Sequence, residues 1–399
     1  MISLKRKPVS HVDIGVTSLI AGLAVLVFSA ATAAAGVVGS DVPLENYKIM
    51  SDKAVQYGAD DSFMEWHGYL NFEVDNKEGS NWNFDNHEFY LNAYTQITDQ
   101  ASVTAEFEYE HTPEKLILPI QAYGTWTFIE DHLAVRTGLF FVPIGIPRAY
   151  TLRGNKNNLI RQVSLTHDII FENWSEVGIE LLGSIDVTEG VEAFADISFG
   201  NGVRGLGAGD SWFDASETLQ DHTEDNNNNK AITARAGLNI TRFKGFHINV
   251  AGSYATMNLG IKGGGKEEVT WAGVDLRVMH ESGLRLQAEF MDRTGDDDPA
   301  ILMAKDIAAK ARGWYVQVSW QLFTDAHKFV HYIKPVIQVD GIDLNRNTAT
   351  NSDRVTTAIG LVYAPQPHVF VKFEYDFVTE RHGKNIDNDT LWLSTVWEF

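Results

Sequence analysis

One pattern governs the chain from Met64 to its last residue: apolar and polar side chains alternate one by one, in short runs separated by turns. Trp66, Gly68, Leu70 and Phe72 oppose His67, Tyr69, Asn71 and Glu73; Val103, Ala105, Phe107 and Tyr109 oppose Thr104, Glu106, Glu108 and Glu110. A period of two marks a strand with unlike faces, because successive side chains of a pleated strand point to opposite sides. The rule can be followed through about sixteen segments, most of them about 8–11 residues long, the length a tilted strand needs to cross a bilayer.

The connections alternate as well. Short turns fall at Asp99-Gln100, Glu130-Asp131, Asp186–Gly190, Lys244-Gly245, Glu281-Ser282, Thr324–Lys328 and Pro365–Pro367. Longer loops lie between them, at 75–83, 111–118, 141–175, 200–230, 259–265, 294–311, 341–353 and 380–389. A soluble sandwich has no reason to keep that alternation through eight hairpins. An all-β fold follows: a 16-stranded antiparallel transmembrane β-barrel with long extracellular loops and short periplasmic turns. Composition agrees. The chain is 44% hydrophobic and 21% charged with a mean hydropathy of -0.16, well short of a helical membrane protein, because only every second strand residue meets lipid. The absence of cysteine excludes disulfides and thiolate metal sites. A net charge of -21 argues against nucleic acid as a partner.

Residues 1–35 read as a signal peptide: Lys5, Arg6 and Lys7, then an apolar run from Ile14 to Ala30, then Ala33-Ala34-Ala35 before Gly36. The run is short and ends in a cleavage pattern, which separates it from a membrane anchor. Residues 36–63 read as a periplasmic lead-in, and 64–399 as the barrel, with loop 141–175 folded inward. Loop 294–311 carries Ile301, Leu302, Ile307 and Ala308 at helical spacing, which predicts a short helix there. Trp66, Trp126, Trp320, Trp392 and Trp397 near strand ends suit a lipid-interface girdle.

The terminal strand ends on Trp397-Glu398-Phe399, and this ending resembles the last strand of bacterial outer-membrane barrels, whose final aromatic residue is read by the barrel-assembly machinery. Phe399 is therefore the candidate assembly signal. Gly138-Leu139-Phe140 followed by Phe141-Val142-Pro143-Ile144-Gly145 resembles the glycine–aromatic–Val-Pro-x-Gly segment of the phosphate-selective porin family. Arg312-Gly313-Trp314-Tyr315-Val316-Gln317 resembles that family's late Gly-Trp-Tyr strand. The resemblance covers a small part of the chain. It implies a homotrimeric outer-membrane porin, surrounded by lipid and lipopolysaccharide, that passes small polar or ionic solutes, anions such as phosphate among them.

With the apolar parity facing lipid, the lumen wall is mostly acidic, Glu106, Glu108, Glu180, Glu192, Asp196, Glu289, Glu374 and Asp376 among its members. Such a wall concentrates cations. Loop 141–175 is locally basic, with Arg148, Arg153, Lys156 and Arg161; Arg136, Arg277 and Arg285 project from strands. These seven are the candidates for an anion-binding constriction. The alternative, which is preferred here, is that the loop's bases pin it to the acidic wall through ion pairs. Gly200-x-Gly202-x-x-Gly205 opens a polar loop and not a helix, so it is no dinucleotide fingerprint. Asp296-Asp297-Asp298 reads as a solvated turn. No catalytic constellation, metal site or cofactor site emerges. A passive channel is the leading reading. A structural barrel that sheathes a partner, such as a multihaem electron-transfer protein, is the alternative.

Overall fold

A computed structural model of the chain describes residues 55–56, 63–110, 117–147, 154, 157–170, 174–202, 230–260, 266–295, 310–324, 327–346, 353–381, 386 and 388–399. The signal-peptide segment, the tip of loop 200–230 and the helix expected in loop 294–311 lie outside these residues, and of the lead-in only 55–56 and 63 lie within them.

A two-residue strand, β1 (Val55–Gln56), pairs with the start of β2 (Phe63–Lys77). The barrel itself is β2 followed by β3 (Asn83–Thr98), β4 (Ala101–Glu110), β5 (Ile117–Ile129), β6 (Leu133–Phe141), β7 (Ser175–Thr188), β8 (Val191–Gly200) and β9 (Ala231–Ile240). It continues with β10 (Phe246–Gly260), β11 (Lys266–His280), β12 (Leu284–Gly295), β13 (Ala311–Trp320), β14 (Tyr332–Asp343), β15 (Arg354–Gln366), β16 (Val369–Glu380) and β17 (Thr390–Glu398). Each strand pairs antiparallel with the next, and β17 pairs with β2 from Thr390↔Lys77 to Glu398↔Tyr69. That pairing closes sixteen strands into a barrel with no open edge, which is what a sheet in lipid requires. The three longest connections, 142–174, 201–230 and 296–310, share one rim. Several strands run further than a minimal bilayer crossing, up to the 16 residues of β3, so loops 75–83 and 259–265 shrink to 78–82 and 261–265.

The two faces separate as the alternation predicts. Ile179, Phe199, Val274, Ile359, Phe373 and Phe377 are exposed on the outside, while Glu180, Ser198, Asp275, Glu374 and Asp376 on the same strands are buried inside. One aromatic departs from the expected girdle. Trp66, Trp126 and Trp397 are exposed, but Trp392 shares the inward parity of Ser394 and donates its Nε1–H to Asp376 Oδ2 at 3.1 Å. Parity overrides position here: an even-numbered residue of β17 points into the lumen wherever along the strand it sits.

Candidate functional site: the loop docked in the lumen

The connection between β6 and β7 leaves the sheet because Pro143 and Pro147 cannot donate to a ladder. It then lies against the inner wall. Gly145, at φ 65°, donates its N–H to Ser253 Oγ on β10 at 2.9 Å. A Cβ there would collide with Glu289 Oε1 on β12, so only glycine allows the approach. Val142, Ile144, Ile146, Val163, Leu165, Ile169, Ile170 and Trp174 pack with Met257, Val269, Trp271, Met291 and Tyr315 of the wall into one buried cluster. Trp174 and Trp271 meet at 4.9 Å between ring centroids. Trp271 Nε1–H donates to the carbonyl of Ile169 at 2.9 Å, and the Arg293 guanidinium donates to the carbonyls of Asp168 and Ile169 at 3.3 and 3.2 Å. A single π-turn, Leu165–Ile169, shapes this part of the loop.

The loop's middle is held by a comb on β16. Lys372, Glu374 and Asp376 sit at alternate positions and share the inward face. The Lys372 ammonium donates to the carbonyls of Gly154, Asn157 and Leu159 at 2.5, 2.8 and 3.3 Å. Glu374 Oε2 accepts the backbone N–H groups of Ile160 and Arg161. Asp376 Oδ2 accepts Arg161 Nε–H at 3.0 Å, and Asp340 Oδ2 on β14 accepts Arg161 Nη2–H at 2.6 Å. Asn158 bridges Gln317 and Lys334 at 2.6 and 3.1 Å. Arg354 of β15 pairs with Asp168 at 3.0 Å. Leu159 enters a second apolar cluster with Tyr69, Val336, Ala358 and Val362. The inward face of β15 makes room for it: Ala358, Gly360, Val362 and Ala364 are all small or medium, and a Cβ on Gly360 would collide with Leu159 Cδ2.

Beyond the loop's own contacts, the inner wall from β4 to β11 carries a belt of charged and polar side chains. Arg136 Nη1 donates to Glu180 at 2.5 Å while its guanidinium lies 4.3 Å from the Tyr123 ring. Arg235 donates to both oxygens of Asp275, at 2.7 and 3.0 Å, and to Asn249 at 2.7 Å. Asn249 donates to Asn239, and Asn239 to Glu192, each at 2.7 Å. Glu106 accepts from Asn92 at 2.7 Å and from Gln121.

The candidate site residues are thus distributed. Arg161 is on the loop and bound to two wall carboxylates. Arg136 is on that belt of the inner wall, and Arg277 and Arg285 lie further along β11 and β12. Arg148, Arg153 and Lys156 lie outside the described residues, apart from the backbone placement of 147 and 154 beside them. Of the acidic set, Glu374 and Asp376 hold the loop, Glu180 holds Arg136, Glu289 is buried beside Gly145, and Glu108, Glu192 and Asp196 line the wall. Phe399 ends the closing seam: it exchanges both backbone hydrogen bonds with Gly68, at 2.9 and 3.0 Å. The apolar docking surface is absent from the sequence reading, although Leu159, Ile160, Val163, Leu165, Ile169, Ile170 and Trp174 are too apolar for a solvated loop.

No protein-family model and no curated protein sequence matches the chain. Solved structures do. OmpF of Salmonella typhi, in complex with daunomycin, is similar at a TM-score of 0.57 and 11% identity over 87% of this chain and 100% of that one. An anion-selective porin from Comamonas acidovorans is similar at 0.56 and 10% over 85% and 100%. The trimer form of OmpT, an outer membrane protein of Vibrio cholerae, is similar at 0.54 and 9% over 85% and 100%. At such identities the likeness is one of fold: a bacterial outer-membrane, multi-pass β-barrel.

Proposed function

We propose that the chain is an outer-membrane porin, a passive diffusion channel through which small polar or ionic solutes cross down their gradients. The observation that carries this reading is the loop docked inside a closed barrel, together with an inner wall of charged and polar side chains of which Tyr123, Arg136, Glu192 and Asp196 keep partial solvent exposure. A constriction beside a hydrated polar wall limits solute size without binding energy that would trap the solute. A structural neighbour described as an anion-selective porin supports the channel part of the same reading. A homotrimer is part of it, since one neighbour was solved as a trimer; so are assembly through Phe399 and a setting of lipid and lipopolysaccharide.

Anion or phosphate preference has less support than cation preference. Arg161, Arg136 and Arg235 are each committed to carboxylates, and Lys372 and Lys334 to carbonyl oxygens, so these cations already have protein acceptors. A barrel that sheaths a multihaem partner needs an empty interior, and the apolar clusters under the loop occupy part of this one. The test is conductance of the purified protein in a planar bilayer. Stable ohmic steps, grouped in threes for a trimer, are expected. A sealed bilayer at every protein dose rules the channel out. Reversal potential in a salt gradient then reads the sign of selectivity.

A further inference from the structure

We infer that Asp196 strengthens the selection of cations, whether inorganic or carried on an ammonium or guanidinium group of a solute, at the free wall of the lumen. The inference rests on the channel reading and deepens it. Asp196 lies on β8 with the inward parity of Ser198, which is 2% exposed, whereas Phe199 points out at 53%. Its direct cross-strand neighbour on β9 is Arg235. That pairing would ordinarily neutralise it. Here no contact ion pair forms: Arg235 stays within electrostatic reach of Asp196 but places its Nε–H and Nη2–H on Asp275 and Asn249. Arg136, the cation on its other side, is taken by Glu180. Both nearby guanidinium groups are therefore matched by other carboxylates, and Asp196 forms no hydrogen bond or ion pair with any described residue.

The contrast with the other lumen carboxylates gives the position its weight. Glu374, Asp376 and Asp340 are used on the loop; Glu180 and Asp275 are matched by arginines; Glu106 accepts from two side-chain amides. Asp196 adds a negative charge with no contact ion pair to a partly exposed stretch of the inner wall. A charge held between low-dielectric walls acts on passing ions more strongly than one at an open surface.

The experiment is the ratio of potassium to chloride permeability, from reversal potentials of the purified full chain in planar bilayers. The native protein is expected to favour potassium. Asp196→Asn should lower the ratio about tenfold, because one unit charge roughly 6 Å from an ion in water weights potassium up and chloride down by about threefold each. Because the chain contains no cysteine, Asp196→Cys introduces a unique thiol. A sulfonate-bearing thiol reagent should restore the native ratio, and a trimethylammonium-bearing one should push it below that of the Asn variant. Recovery by the anionic reagent separates charge from misfolding. A ratio unchanged in Asp196→Asn, and indifferent to the charge attached to the new thiol of Asp196→Cys, overturns the inference while leaving the channel standing. Absence of any current from native protein removes the channel reading, and this inference with it.

Discussion

Arg161 Nη2 lies 2.6 Å from Asp340 Oδ2, although the two residues are 179 positions apart in the chain. The Arg161 side chain is 19% exposed and that of Asp340 2%. The pair ties a loop that leaves the sheet after β6 to the wall at β14, and Asp376 on β16 binds the same guanidinium from the other side. Removing one partner of a largely buried pair typically costs about 3–5 kcal/mol, because the other charge is left uncompensated. Arg161→Ala should therefore undock the middle of the loop. The expected readout is a larger and noisier single-channel conductance, with the heat-resistant mobility of the folded barrel on gels retained, since strand pairing does not pass through Arg161. Unaltered conductance would mean the loop is held without this pair.

The comb on β16 makes a prediction that separates charge from hydrogen bonding. Glu374 accepts two backbone N–H groups of the loop, so Glu374→Gln keeps an acceptor and Glu374→Leu keeps none. A buried donor left unsatisfied costs about 1–3 kcal/mol. Conductance near native is expected for Gln and a widened, unsteady pore for Leu. If Gln behaves as Leu does, the carboxylate's charge, and not its acceptor geometry, holds the loop.

Leu159 and Gly360 make the packing counterpart. A side chain at Gly360 has no room while Leu159 is in place. Gly360→Val should expel Leu159, and the double variant Gly360→Val with Leu159→Ala should recover docking, because the added volume takes up the space vacated. With no native thiol to interfere, a cysteine placed at 157 reports the outcome: slow reaction with a bulky thiol reagent in the parent and double variant, fast reaction in Gly360→Val alone. Equal rates in all three would show that this contact does not govern loop position.

What the sequence made legible follows from period. Alternation fixes which parity faces lipid, so Glu180, Asp275 and Glu374 could be assigned to the lumen from their neighbours alone, and the strand count follows from the number of alternating runs. The same rule, applied more strictly, would have turned Trp392 inward. The loop is harder to read because it has no period. Its bases suggest a charged constriction, and Arg161 does meet acidic wall residues, but most of its anchoring is apolar packing and backbone capture. Pairing between residues more than a hundred positions apart, such as Trp271 with Ile169, is invisible to local pattern. One signal was available: the small inward residues of β15, Ala358, Gly360 and Ala364, are poor lumen lining for a hydrated pore and good clearance for a packed loop.

The seam between the ends of the barrel yields a prediction about assembly. Phe399 exchanges two backbone hydrogen bonds with Gly68, and its ring stacks on Phe89 at 6.0 Å between centroids. The ring also lies over Gly68, where a Cβ would collide with its Cζ. The last residue thus contributes to closure by itself, apart from any recognition by assembly machinery. In detergent refolding, with no assembly proteins present, Phe399→Ala should lose only the ring stacking, worth about 0.5–1.5 kcal/mol beyond area burial. Gly68→Ala should lose more, because its Cβ would meet the Tyr90 carbonyl oxygen of the paired strand as well as the ring, while leaving Phe399 in the sequence. The two variants then part company in cells. If the terminal aromatic is read as a signal, Phe399→Ala should deplete folded barrel in the outer membrane far more than Gly68→Ala does. Equal depletion by both would assign the whole effect to the seam.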